Sequence, residues 1–295
     1  MPPESSALRF FLAEAPVDQY RRELESLTAS WTDKGWSWPA AESVLLKVHQ
    51  LFKNGSATLE PLDTPYHDAR HTLQVLLCWC RIVDAHQGHR EGERIPGKLL
   101  LTGYYAALFH DSGYLKDRGD SEGTGAKLSA IHERRSCAIA SAFLTEASAA
   151  DIDRAALARM IVSTGPRAAL PAIPYKSADE RLLAQMLATA DFLAQLSDPN
   201  YPRKLACLYE ELREAEAARH FPQSLAQLEN INAFRAATPP FWKSFVRPHL
   251  DRDCAAVYRW LNTPYPDGPN PYFDQIEQNL RFIRRTDSAI SRDGV

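Results

Sequence analysis

The stretch LQVLLCWCRIV, residues 73–83, places apolar side chains almost all the way round a helical cylinder. It falls short of the roughly 18–20 apolar residues that a membrane span requires. A helix with neither a polar face nor a bilayer must run through a protein core, so the rest of the chain has to enclose it. Read with its flanks, this helix is expected over 65–86, with Thr64 as cap and Pro65 in the first turn.

A second buried helix reads in KLLLTGYYAALFHDSGY and is expected to end near Gly113. Helical periodicity also marks 17–29, 40–53, 132–146, 151–163, 178–196, 201–218, 224–236, 249–262 and 271–285, with prolines punctuating the later helices. The tryptophan-rich WTDKGWSWP, the charged LKDRGDSEGTGAK and the proline-rich GPRAALPAIPYKS read as loops. No convincing strand alternation, internal repeat or linker interrupts the pattern, which predicts a single all-α domain over 1–295.

At 295 residues and 45% hydrophobic, the chain can bury roughly three quarters of its unfolded surface. A net charge of −3 gives no electrostatic case for nucleic acid or an anionic membrane as partner. Five cysteines without a CxxC pair suit a reducing compartment. The start, MPPESSALRFFLAEAP, lacks the pattern of a signal peptide, so the expected location is cytoplasmic.

Three signals carry chemistry. His67 and His71 are four apart, one turn of a helix if the helix starts at 65. His110 and Asp111 follow a mostly apolar run, where a charged pair is costly unless something satisfies it. Asp191 falls on the stripe Leu183, Leu187, Asp191, Gln195. Each signal alone has an ordinary structural explanation. Together, imidazole and carboxylate groups on separate buried helices can converge on one ion.

The order H…HD…D on helices resembles the signature of the HD-domain metal-dependent phosphohydrolases. YHDARH is similar to the Tyr-His-Asn-x-x-His signature of their cyclic-nucleotide phosphodiesterase branch, with Asp68 in the place of asparagine. The resemblance covers about 64–200 and implies an HD-domain helical bundle, with N-terminal helices (1–60) and C-terminal helices (201–295) packed on it. It implies His71, His110, Asp111 and Asp191 as ligands of one or two divalent ions (Mn, Fe, Zn, Co or Mg). It further implies His67 as proton donor to the leaving oxygen of a small phosphoester, a nucleotide or cyclic nucleotide. Neutral His67 cannot donate, so a neighbouring carboxylate is expected, with Glu133 and Asp68 as candidates.

Related HD proteins often place a histidine soon after the dyad. His132 in SAIHERRS is the candidate, and with it Asp111 could bridge two metals. Phosphate also calls for positive charge. Arg70, Lys116, Arg118 and Lys127 are available, and Lys116 is favoured because four residues separate it from Asp111. The loop 114–127 is expected to close over the phosphate. Tyr66, Arg70, His132 and Tyr201 are the expected substrate contacts, with Tyr201, Arg203 and Lys204 on the pocket rim.

His49, His86, His89, His220 and His249 are expected to be structural, and Phe241, Trp242 and Phe245 to be core. Two other readings stand beside the hydrolase. One is a di-iron HD-domain oxygenase, which requires His132 and one more histidine as ligands. The other is a non-catalytic metal- or nucleotide-binding sensor. Substrate, metal identity and oligomeric state are left open by the sequence.

Overall fold

In the computed structural model, residues 3–32, 34–90, 93–147, 152–166, 168–218 and 230–290 are described. The helices in chain order are α1 (Pro3–Phe10), α2 (Val17–Thr28), α3 (Trp38–Asn54), α4 (Ala69–His89), α5 (Gly97–Phe109), α6 (His132–Glu146) and α7 (Arg154–Val162). They continue with α8 (Ala178–Ser197), α9 (Tyr201–Ala217), α10 (Ile231–Phe241), α11 (Arg247–Arg252) and α12 (Pro271–Ile290). Among the described residues there is no strand, only an isolated bridge between Leu59 and Asp117. The chain is all-α.

The apolar run 73–83 becomes the centre of α4 and is buried except at Arg81. Helix α8 packs most extensively along it, with α5 and α2 on its other sides. Trp79 fixes the α4–α8 contact by donating its indole N–H to the Leu183 carbonyl at 3.2 Å. Helices α6 and α7 cover α5, while α9 and α12 close the far side of α8 and α10 packs on both of them. One continuous apolar core results, reaching from Phe11 to Ile283. No described helix is long and apolar enough to cross a membrane.

Arg81, the polar interruption in α4, is a hub. Its guanidinium donates to the Phe10 carbonyl at 2.9 Å and to the Tyr272 hydroxyl at 3.1 Å, and lies 3.3 Å from Glu23. It also sits 4.1 Å over the Phe10 ring. One side chain thus ties α1, α2 and α12 to the central helix.

Several boundaries differ from the sequence expectation. Helix α4 starts at Ala69, not Pro65, because Asp68 caps it by accepting the His71 N–H at 2.8 Å. The N–H groups of Tyr66 and His67 are held by Glu211 instead. Helix α5 ends at Phe109, and a separate 3₁₀ turn spans Ser112–Tyr114. The helix expected over 249–262 breaks into α11 and a 3₁₀ turn (Val257–Leu261), because Ala255 and Ala256 take left-handed conformations between them. Of the helix expected over 224–236, residues 224–229 lie outside the described residues, as does His220. The described part begins at Ile231 and continues to Phe241, followed by a π-helical turn from Trp242 to Val246. Trp242 is buried, but Phe241 and Phe245 are exposed and stack on each other, so only the tryptophan joins the core.

Candidate metal centre

Three elements bring the ligand candidates together. The first turn of α4 carries His71, the end of α5 leads into His110 and Asp111, and α8 carries Asp191. His71 Nε2 is 3.2 Å from Asp191 Oδ1 and 3.4 Å from Asp111 Oδ2. His110 Nε2 is 3.1 Å from Asp111 Oδ2 and 3.7 Å from Asp191 Oδ1. Metal–ligand bonds of about 2.0–2.2 Å set neighbouring ligands about 3–3.5 Å apart around one ion. Three of these four separations fall in that range, and the fourth lies just beyond it.

Two polar atoms decide the fit. His110 Nε2 and Asp111 Oδ2 are fully buried and neither takes part in a hydrogen bond, although they are 3.1 Å apart. Burying them without a partner is unfavourable. An ion beside both would satisfy them. His110 is prepared for this role, since its Nδ1–H donates to the Ala107 carbonyl at 2.8 Å and leaves Nε2 as the free donor atom.

The charges agree. Burial opposes an imidazolium at His110, but the adjacent Asp111 carboxylate outweighs it and lifts His110 to about 9. Burial likewise opposes charge on Asp111, yet His110, helped by His67 and His71, holds its carboxyl well below the usual range. The carboxylate therefore attracts positive charge, supplied by protons or by a cation.

His132 joins the group. Its Nδ1–H donates to the Ser129 carbonyl at 2.6 Å, the same device that prepares His110, and its Nε2 lies 3.6 Å from Asp111 Oδ1. Asp111 thus presents one oxygen to His71 and His110 and the other to His132. Close packing makes this possible: a Cβ on Gly113 would come within 1.9 Å of the His132 carbonyl oxygen, so α6 starts where it does only against a glycine.

His67 sits in the turn before α4, not on its face, yet its ring centroid is 5.5 Å from that of His71. Its partner is Glu211 on α9, which is buried and accepts the His67 Nδ1–H at 2.5 Å. The other Glu211 oxygen accepts the Tyr66 N–H at 2.5 Å and the His67 N–H at 3.2 Å. Burial disfavours the imidazolium, but the Glu211 carboxylate prevails and raises His67 to about 9. Neither expected carboxylate does this: Asp68 caps α4, and Glu133 lies 3.5 Å from His132 Nδ1.

Tyr114 was not anticipated. Its ring stacks on His67 at 4.8 Å and on His132 at 4.6 Å, both nearly parallel, fixing the planes of the two imidazoles. Tyr66 is buried edge-on beside His67 and His71. Glu211 had a legible signal, an acid among Leu205, Leu208, Leu212 and Ala215 on the apolar stripe of α9. Nothing local marked Tyr114.

The remaining expectations are corrected. Lys116 is buried and bound to Asp63 Oδ2 at 2.8 Å and to the Gly123 carbonyl at 2.7 Å, so it fastens its own loop and is not free to follow a phosphate. Arg118 pairs with Glu60 at 3.0 Å and Lys127 with Asp120 at 2.7 Å. Loop 114–127 is further held by Glu214, which accepts both the N–H and the hydroxyl of Thr124. In this structure the loop is tied down along its length by Asp63, Glu60 and Glu214. Arg70 turns to the Ala13 carbonyl at 2.8 Å. Tyr201 is buried behind Tyr66, with ring centroids 6.4 Å apart, not on a rim. Lys204 pairs with Asp198 at 3.1 Å.

A family model described as Npun_R2479-like matches residues 53–259, more than half of the chain. The chain belongs to the Npun_R2479-like family. No curated protein and no solved structure matches it. The family match contains His67, His71, His110, Asp111, His132, Asp191 and Glu211, whereas α1, α2 and α12 lie outside it.

Proposed function

We propose that this member of the Npun_R2479-like family is a metal-dependent phosphohydrolase of the HD-domain type, acting on a small phosphoester of the nucleotide or cyclic-nucleotide class. The observation that carries the reading is the pair of buried, unsatisfied atoms, His110 Nε2 and Asp111 Oδ2, with His71 and Asp191 beside them. These four residues would hold a divalent ion, with room for a second between Asp111 and His132. When bound, such an ion polarises a phosphoryl oxygen and makes water a competent nucleophile near neutral pH.

The chain's own contribution is a positioned acid. Glu211 engages Nδ1 of His67 and keeps the ring protonated, which leaves the Nε2 proton for the departing oxygen. Stacking on Tyr114 adds a cation–π attraction and holds the ring plane. Asp68, by capping α4, orients the backbone turn on which His71 stands.

A screen of nucleotides and phosphoesters against the metal-loaded chain tests this. Release of phosphate or of the alcohol, lost in His67→Ala for a poor leaving group and largely kept for p-nitrophenyl phosphate esters, supports it. No release from any phosphoester rejects it. The placement of His132 beside Asp111 favours one alternative, the di-iron oxygenase. Two irons per chain with substrate-dependent oxygen uptake would support that reading instead.

A further inference from the structure

Arg70 stands apart from the metal-centre residues, and so does the space it faces. With Lys53 and His49 it lines a cavity of about 400 Å³ between the α1–α2 connection, the end of α3 and the first turn of α4. The volume is within the range of small-molecule sites. Its apolar wall is formed by Val17, Phe52, Leu62 and Leu73.

The polar side of the cavity carries a positive excess. Lys53 has no acidic partner among the described residues. Among the described residues, the Arg70 side chain hydrogen-bonds to the Ala13 carbonyl and forms no ion pair with an acid. His49 is half-buried at the same edge and offers a ring N–H. Against these stand Asp68, whose Oδ1 is already occupied by the His71 N–H, and Asp18, close enough to act on His49. Among the side chains that line the cavity, Lys53 and Arg70 against the Asp68 carboxylate leave one net positive charge facing an apolar wall, since Asp18 is not part of the lining. One negative charge on a ligand neutralises that excess, whereas a phosphate dianion would leave a second charge uncompensated against the apolar wall.

We propose that this cavity is a second binding site, taking a small carboxylate with an apolar body and set behind the turn that carries His67 and His71. The carboxylate pairs with Lys53 and Arg70 while the body covers Phe52, Leu62 and Leu73. Asp68 is at once a wall of this cavity and the cap that orients His71.

Titration of the full chain with sodium octanoate by calorimetry tests the site without any measurement of turnover, so it stands or falls apart from the hydrolase reading. Octanoate should bind, 1-octanol should bind about tenfold more weakly, and Lys53→Met should weaken octanoate by about tenfold, the weight of one charge-assisted hydrogen bond. The His49 ring resonance should move on octanoate addition, and EDTA should leave the affinity unchanged. Arg70→Met also releases Ala13 and risks the fold, so Lys53→Met is the deciding variant. Equal binding of octanoate and octanol, an unchanged affinity in Lys53→Met, loss of binding with EDTA, or a stationary His49 signal at saturation would each overturn the proposal.

Discussion

At the residue scale the account turns on the His67–Glu211 pair. The His67 pKa is raised to about 9, so the ring is protonated at neutral pH and titrates as the medium becomes alkaline. If His67 donates the proton, turnover should fall through the region of 9, and Glu211→Gln should move that limb toward lower pH. A pH–rate profile that is unchanged in Glu211→Gln would remove Glu211 from the mechanism. The sign for stability follows from the same shift. A histidine whose folded pKa exceeds its unfolded value of about 6.5 stabilises the fold fully below that value, and the contribution is lost as pH rises through about 9. Thermal melts of wild type and Glu211→Gln should therefore differ most at pH 6 and converge above pH 9. His67→Ala should lower turnover by about 10²–10⁴-fold on poor leaving groups, the usual weight of a general acid, with metal content intact.

At the scale of elements, α9 acts as a clamp. Glu211 holds the turn before α4, and Glu214, three residues on, holds the loop after the His–Asp dyad through Thr124. Lys116 secures the same loop through Asp63 and Gly123. Lys116→Met should therefore lower the melting temperature by a few degrees and leave KM within about twofold, because the lysine fastens structure and does not reach substrate. A large rise in KM at unchanged stability would restore it as a phosphate contact. Gly113→Ala should be more damaging, costing about 1–3 kcal/mol in urea melts, since the methyl group meets the backbone of His132.

These elements also show where sequence was sufficient. His110, Asp111 and Asp191 stood out as polar residues on or beside apolar runs, whereas His71 entered the ligand set only through the resemblance of the H…HD…D order to the HD-domain signature. His67 was legible by type but not by position. The 65–68 turn leaves helical geometry because a carboxylate 144 residues away captures its N–H groups. Local propensity carries no trace of that. Lys116 misled because closeness in sequence to Asp111 says nothing of direction, and Asp63 lies nearer its ammonium group. The break at Ala255 and Ala256 is illegible for a related reason, since alanine gives no warning of a left-handed conformation.

At the scale of the whole molecule, the site is assembled from three segments that touch only in the fold. The core around α4 holds them in register, and Arg81 adds the outer helices. A bound ion should stabilise the entire fold by mass action, by about 2.7 kcal/mol at a hundredfold excess over Kd. EDTA should lower the melting temperature, and metal should restore it. The most direct test of the central claim is the metal content of anaerobically purified wild type, His71→Ala, Asp191→Ala and His67→Ala. Wild type and His67→Ala should retain at least one transition-metal ion or Mg²⁺ per chain, whereas folded His71→Ala and Asp191→Ala should retain none. Wild-type metal content in folded Asp191→Ala, or no metal in any of the four proteins, would contradict the metal centre.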